Sequence, residues 1–235
     1  MALKHNIHQP TALITGGSNG IGSAIANKLL KNRMNVAVAD VLPPSSNDVF
    51  FNKCDVTKAK EIDDLFEELA QNFSLPDILV LNAGRGIREK LTEGDPSKWE
   101  AILNTNLMGS LRCIRAFVPA MLKKKRGHVI FISSVAANQP HPYGGIYSAS
   151  KTALEVVAET LRLETLPHIK ISIIAPGITD TSFFDNEISG DISINDLGPD
   201  PLSPQDIAED VWYILNKPSH AVINKLITRP ANQSF

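Results

Sequence analysis

Short apolar runs alternate along this chain with longer amphipathic ones. "TALIT" (11–15), "NVAVAD" (35–40), "VFFNKC" (49–54), "DILVLN" (77–82), "HVIFISS" (128–134), "KISIIAP" (170–176) and "NKLITR" (224–229) are rich in Val and Ile, and several are apolar on both faces. That pattern predicts strands of a sheet covered on each side. Between them, apolar positions at helical spacing predict helices over 21–32, 59–72, 96–125 with a break near Asn106, 146–166 and 204–216. "SPQDIAED" carries a helix start, with Ser203 as cap, Pro204 in the first turn and Asp206 where the helix dipole favours an acid. Strands that alternate with helices give right-handed crossovers and an α/β fold, a doubly wound, seven-stranded parallel sheet flanked by helices on both faces. The segment over 181–203 breaks the pattern. It is acidic and punctuated by Gly and Pro, and such an insertion reads either as a substrate-side lid or as a surface excursion; the apolar pair Phe183–Phe184 favours the lid.

Composition narrows the function classes. The 235 residues are 43% apolar and carry a formal charge of −2, which gives no electrostatic footprint for nucleic acid or membrane lipid. The basic run "LKKKRG" (122–127) suits the last turn of a helix. Cys54 and Cys113 lie in apolar segments without metal-ligand spacing, and the six histidines form no ligand pattern, so no metal site is expected. No apolar run reaches about 18 residues and "MALKHNIHQP" lacks a signal-peptide core, so a soluble, cytoplasmic protein is expected.

"TALITGGSNGIGSAIANKLL" is a strand, a glycine-rich turn and a helix, with Gly16, Gly20 and Gly22 in G-x-x-x-G-x-G spacing. Glycine lets the backbone approach a ligand, and the helix start near Ile21 directs unpaired N–H groups and a positive dipole end toward an anion. The bland alternative is a tight strand–helix turn; the strand before and the helix after favour a dinucleotide pyrophosphate, and with it a single Rossmann domain over residues 1–235. The next strand ends at Asp40. An acid there binds ribose hydroxyls and repels a 2′-phosphate, and neither "GGSNG" nor "VLPP" supplies a base, so NAD is expected over NADP. A strand-end turn acid is the competing reading.

Together these residues resemble the short-chain dehydrogenase/reductase family over essentially the whole chain. "TGGSNGIG" is similar to its cofactor loop, bringing Ser18, Asn19 and Ile21 in beside the glycines. "CDVT" puts Asp55 and Val56 where the family holds adenine, and "NAG" puts Asn82, Ala83 and Gly84 beside the cofactor. "NTNLMG" places Asn106 at the family's active-site asparagine, "ISSVA" places Ser134 at its catalytic serine, and "YSASK" places Tyr147 and Lys151 at its tyrosine–lysine pair. "PGITDT" resembles the nicotinamide-side turn, with Pro176, Gly177, Thr179 and Thr181 as contacts. The resemblance implies that Lys151 also reaches the nicotinamide ribose and that Asn106 holds a water relaying protons to solvent. "NKLITRPANQSF", with its RP-x-x-Q pattern, resembles the subgroup of 3-hydroxy acid and serine dehydrogenases, which usually prefers NADP; Asp40 speaks against carrying that preference over.

Tyr147 and Lys151 are four apart on a helix and share a face. An ammonium there is expected to lower the tyrosine's pKa, so that the phenol acts as acid and base near neutrality while Ser134 hydrogen-bonds the substrate oxygen. The reading is an oxidoreductase moving a hydride between a nicotinamide cofactor and a secondary alcohol or ketone, a small hydroxy acid among the candidates. A 3-oxoacyl thioester or sugar/polyol reductase and a non-catalytic dinucleotide sensor are the alternatives; the presence of both Tyr147 and Lys151 argues against the sensor. Arg85, Arg88, His141 and Tyr143 are candidate substrate contacts, each weighed against a solvated loop residue. A homodimer or homotetramer is expected from apolar residues beyond one face's need on the segments 107–125 and 146–166, Leu111, Ile114, Phe117, Val156, Val157 and Leu161.

Overall fold

The computed structural model describes residues 9–190 and 200–233. Strand β1 (Thr11–Thr15) runs through the glycine turn into α1 (Gly20–Lys31); β2 (Asn35–Asp40), β3 (Phe50–Lys53), α2 (Ala59–Asn72) and β4 (Ile78–Leu81) follow. The chain continues through α3 (Pro96–Leu103), a π-helical turn at Asn104–Met108, α4 (Gly109–Lys124) and β5 (Gly127–Ile132). Then come a 3-10 turn at Val135–Ala137, α5 (Gly145–Thr165), β6 (Ile169–Pro176), α6 (Pro204–Leu215) and β7 (Lys225–Thr228). Each predicted strand and helix is present with ends within two residues of expectation. The break expected near Asn106 is the π-helical turn, where one extra residue per turn interrupts the α ladder.

The seven strands lie in the order β3-β2-β1-β4-β5-β6-β7, all parallel. The order reverses between β1 and β4, which opens a crevice at their carboxyl ends. Alternate side chains of each strand feed opposite cores. Leu13, Leu79, Leu81, Val129 and Phe131 pack on one face with residues of α2, α4 and α5. Ile14, Val38, Val80, Ile130 and Ile132 pack on the other with α1 and α6. At the amino ends of β4 and β5 polar groups are paired off internally. Asp77 accepts from the Thr11 amide at 3.2 Å and pairs with Arg126 at 2.8 Å. His128 meets the Ser172 hydroxyl at 2.8 Å, and burial pushes its imidazole down to about 4, so it is neutral at physiological pH. The chemistry is left to the carboxyl end.

Both cysteines are buried, as expected. α6 has its capping box: the Ser203 hydroxyl accepts from the Asp206 amide while the Asp206 carboxylate accepts from the Ser203 amide. No helix among the described residues is long and apolar enough to cross a membrane. The expected surplus of apolar residues on α4 and α5 needs correction: Phe117 and Leu161 are core residues, and Ile114 and Val157 pack against the same core, because these helices bury a wider face than the sequence pattern suggests.

At Gly22, α1 lies directly against the glycine turn that follows β1. A Cβ there would lie 2.2 Å from the Gly16 carbonyl oxygen, a backbone atom that cannot swing aside. Gly22→Ala is expected to destabilise the protein by about 1–3 kcal/mol, read as a lower urea midpoint at unchanged m-value.

Candidate active site

The crevice opens into a single cavity of about 910 Å³, running from Asp40 at one end to Phe183 and Phe184 at the other. Its floor is the glycine turn. Gly16 and Gly20 sit at φ +64° and +53°, a region where side-chain-bearing residues are strained. A Cβ on Gly16 would meet Ala83 Cα at 2.9 Å, and one on Gly20 would meet Thr181 at 3.2 Å, so this turn and the turn after β6 face each other closely. Asn19 caps α1 in extended conformation without a side-chain hydrogen bond, so the first-turn amides of the helix remain available to an anion. Asn82 fastens the turn to β4, its amide donating to the carbonyls of Thr15 at 3.0 Å and Gly16 at 2.8 Å. Asn19, Gly20, Ile21, Asn82, Ala83 and Gly84 all line the cavity.

Two residues expected to touch a cofactor are not on the cavity wall. Ser18 is buried; its amide donates to Asp40 Oδ2 at 3.0 Å and its hydroxyl to the Leu42 carbonyl at 2.6 Å, so it holds Asp40 in place from behind. Gly22 serves the packing of α1 on β1. Asp40 itself lines the cavity with Val41 and Leu42, opposite Asp55 and Val56. The Asp55 carboxylate accepts from the Thr57 amide at 2.9 Å and hydroxyl at 2.7 Å, which fixes the wall of that end.

At the other end, β5 and α5 bring the expected catalytic residues together. Ser134 follows β5, and its Oγ accepts from the Ala136 amide at 3.2 Å, starting the 3-10 turn. Its hydroxyl lies near enough to Tyr147 to pull the phenol's pKa downward. Lys151, one helical turn on, is buried; its Nζ donates to the Ile132 carbonyl at 2.9 Å and stands 5.8 Å from the centre of the Tyr147 ring. The neighbouring Ser133 donates to Glu155 at 2.9 Å, and Lys225 of β7 bonds the same carboxylate at 2.6 Å, which ties α5 to the sheet below the site.

The electrostatics differ from the expectation. Burial is the dominant influence on Tyr147 and pushes it up to about 12; the Ser134 hydroxyl and the Arg88 charge act downward, and Glu187 upward. Burial likewise pushes Lys151 down to about 8. One of the three Lys151 donors is on Ile132, and the expected low tyrosine pKa is not met in the protein alone because desolvation of Tyr147 dominates.

Asn106 is placed differently as well. It is buried and does not line the cavity. Its Nδ2 donates to the Arg85 carbonyl at 3.0 Å and to Ser150 Oγ at 3.1 Å, and its Oδ1 accepts from the Arg85 amide at 2.8 Å. Both side-chain N–H groups are engaged, while Oδ1 carries one donor and keeps its second lone pair. The residue fixes the loop after β4, and a Cβ on Gly84 would lie 3.3 Å from its Oδ1 and 3.6 Å from Lys151 Nζ.

Sequence reasoning missed Glu187. Its side chain is 4% exposed; Oε1 pairs with Arg88 Nε at 3.2 Å, and Oε2 is buried without a partner. Burial raises its pKa ahead of the opposing Arg88 charge. The signal was one of two acids in "TSFFDNEIS", Asp185 and Glu187, but nothing local pairs either with Arg88. Of the candidate substrate contacts, Arg88, Arg85 and His141 line the cavity, while Tyr143 is exposed outside it. Phe183 packs its ring 5.8 Å from that of Tyr147, and Arg88 lies 5.6 Å over Phe184. The 182–190 segment is docked on the loop after β4: the Arg88 amide donates to the Ser189 carbonyl, the Ile188 amide to that of Gly86, and Ser189 Oγ to Glu89 at 2.6 Å. Glu89 also accepts from the Asp95 amide, Lys98 and Trp99, and these bonds hold its carboxyl at about 2. The remainder of the expected lid, 191–199, lies outside the described residues.

A family model described as short chain dehydrogenase matches residues 10–191. An uncharacterised oxidoreductase of Staphylococcus saprophyticus is 33% identical over 238 residues, covering 95% of this chain and 98% of that protein. Among solved structures, the closed form of a serine dehydrogenase complexed with NADP+ superposes with a TM-score of 0.89 at 26% identity, over 96% of both chains. An alcohol dehydrogenase from the archaeon Thermococcus sibiricus, complexed with 5-hydroxy-NADP, gives 0.84 at 26% identity, over 96% of this chain and 98% of that one.

The burial of Tyr147 has a measurable consequence in the protein alone. In an ultraviolet titration, the difference between wild type and Tyr147→Phe is expected to show no phenolate through the free-tyrosine range near pH 10, because desolvation favours the neutral phenol. A phenolate signal from Tyr147 near neutral pH would contradict this.

Proposed function

Because the chain belongs to the short-chain dehydrogenase family, we propose that this oxidoreductase uses NAD(H) to interconvert a small secondary hydroxy acid and its keto acid. The observation that carries the reading is a single cavity with the glycine cradle and Asp40 at one end and Ser134, Tyr147 and Lys151 at the other. Gly16, Asn19, Gly20 and Ile21 with the open amides of α1 suit a pyrophosphate; Asp40 suits ribose hydroxyls; Asp55 and Val56 border the adenine end. Asn82, Ala83, Gly84, Pro176, Gly177, Thr179 and Thr181 border the reactive end.

When bound, the nicotinamide supplies the hydride and, in its oxidised form, a positive charge that favours the phenolate. In the reductive direction Tyr147 delivers its proton to the carbonyl oxygen of the substrate, and Ser134 donates a hydrogen bond to the same oxygen as negative charge builds there. In the oxidative direction Tyr147 takes that proton back. Lys151, cationic below about pH 8, stabilises the phenolate left behind. Phe183 and the docked 182–190 segment exclude water from the reacting atoms, the part expected of a lid.

Asp40 is the argument for NAD(H), although similar proteins are described with NADP. The basic residues on the cavity wall are Arg85, Arg88, His141 and Lys151, none of them from the segments around Asp40. Arg88 is the argument for an acidic substrate. Its Nε is held by Glu187, its guanidinium edge has no further partner among the described residues, and its charge is felt at Tyr147. A hydroxy acid would place its carboxylate there with the carbinol oxygen at Tyr147.

Pairing with a second copy through α5 is part of the same reading, since Val156 and Leu163 on that helix are 63% and 59% exposed. Light scattering at micromolar concentration is expected to give a dimer or tetramer mass, and Val156→Lys to lower it.

The enzymatic test is a spectrophotometric panel of hydroxy acids, sugars, polyols and 3-oxoacyl thioesters with NADH/NAD+ and NADPH/NADP+. Turnover is expected with hydroxy or keto acids and NAD(H), and its loss in Tyr147→Phe. Arg88→Met should raise KM for acids while sparing neutral alcohols, by roughly tenfold or more for a charge-assisted hydrogen bond. Asp40→Ala should narrow the NAD/NADP gap. Preference for NADPH, or turnover restricted to neutral polyols, would defeat the corresponding half of the proposal.

A further inference from the structure

The RP-x-x-Q stretch after β7 has no place in the mechanism above, yet it reaches the same cavity. The Gly177 amide donates to the Thr228 carbonyl at 2.7 Å, bringing the turn after β6 alongside the end of β7. The chain then turns at Pro230, whose carbonyl accepts from the Gln233 amide at 3.0 Å. That turn carries the Gln233 side chain back over the Pro176–Thr181 segment. Its Oε1 accepts from the Ile178 amide at 3.0 Å, and Gln233 lines the cavity with Pro176, Gly177 and Thr179. The fit is tight: a Cβ on Gly177 would lie 2.2 Å from Gln233 Oε1 and 2.9 Å from Pro230 Cδ. Because an N–H must meet an oxygen, the orientation of the amide is settled, and its Nε2 has no partner among the described residues.

We infer that Gln233 is a positioning residue for the reactive end of the cofactor: it holds the Ile178 amide and so fixes the Pro176–Thr181 turn against which the nicotinamide half of the dinucleotide lies. The inference rests on the dinucleotide reading above. The turn is otherwise held by few bonds, the Gly177 amide to Thr228, the Thr179 hydroxyl to the Gly177 carbonyl at 3.0 Å and the bridge to Leu202. With Gln233 removed, the Ile178 amide has no replacement acceptor among the described residues and the turn loses one of the bonds that fix it. The adenine half of the cavity, around Asp40 and Asp55, shares no bond with Gln233, so the effect is confined to one half of the ligand.

Binding of two ligands to the wild type and variants, followed by isothermal titration calorimetry, tests this without any turnover. NADH carries both halves; ADP-ribose carries the adenosine, pyrophosphate and second ribose without the nicotinamide. Gln233→Ala is expected to weaken NADH about five- to tenfold, the effect of one lost hydrogen bond, while ADP-ribose stays within about twofold of wild type. Gln233→Glu keeps an oxygen for the Ile178 amide and is expected to retain more NADH affinity than Gln233→Ala. Gly177→Ala, which displaces the amide from the other side, should reproduce the selective loss. Equal weakening of both ligands in Gln233→Ala would reduce the residue to a general structural one and overturn the inference, as would unchanged NADH binding. Wild-type protein that bound neither ligand would overturn the dinucleotide reading itself.

Discussion

A buried ammonium group organises this site. Lys151 lies in the interior with its Nζ on the Ile132 carbonyl, the last residue of β5. Taking a cation out of water is costly, and the depressed pKa of Lys151 is the sign of that cost. The bond to Ile132 offsets part of it and at the same time registers α5 against the end of β5. That registration sets Tyr147, one turn earlier on the helix, against Ser134, two residues beyond the strand. The Glu155 carboxylate, one turn later, repeats the attachment through Ser133 and Lys225. The arrangement of Ser134, Tyr147 and Lys151 follows from how one helix is fastened to one strand.

The surroundings act on the same residues from the opposite side. Phe183, Arg88 and Glu187 complete the wall over Tyr147, and they do so as a coupled set: Arg88 stacks on Phe184 and pairs with Glu187, and the backbone on each side is bonded to the other. Burial by this set keeps the phenol neutral in the protein alone. Ser134 and Arg88 oppose that burial and pull the tyrosine's pKa downward, while Glu187 adds to the rise.

The strands and helices were legible because period-2 and period-3.6 patterns report local geometry directly; the glycine turn, Asp40 and the Tyr147–Lys151 pair were legible from spacing within single elements, and Ser134 from the resemblance of its motif. What the sequence hid are pairings between distant segments. Arg88 and Glu187 are 99 positions apart, and Ile178 and Gln233 are 55 apart; no periodicity links them. Ser18 and Asn106 show a second limit. Motif position put both at the site, but whether a side chain faces the ligand or braces the residue that does depends on which hydrogen bonds it has already made, and Asn106 has both of its side-chain N–H groups on Arg85 and Ser150. The direction of the Tyr147 shift was hidden for a related reason, since desolvation depends on what the 182–190 segment covers.

The separation of the two cores by the sheet has an evolutionary consequence. α1, whose amides face the expected pyrophosphate, is anchored in the core shared with α6, whereas the Tyr147–Lys151 helix is anchored in the core shared with α2 and α4. No buried side chain belongs to both. Substitutions far apart with no common partner tend to add rather than couple. Drift among the side chains packed between α1 and α6 can therefore leave the registration of α5 on β5 untouched, whereas Val56, on the cavity wall, shares its core with α5 and ties that wall to the helix.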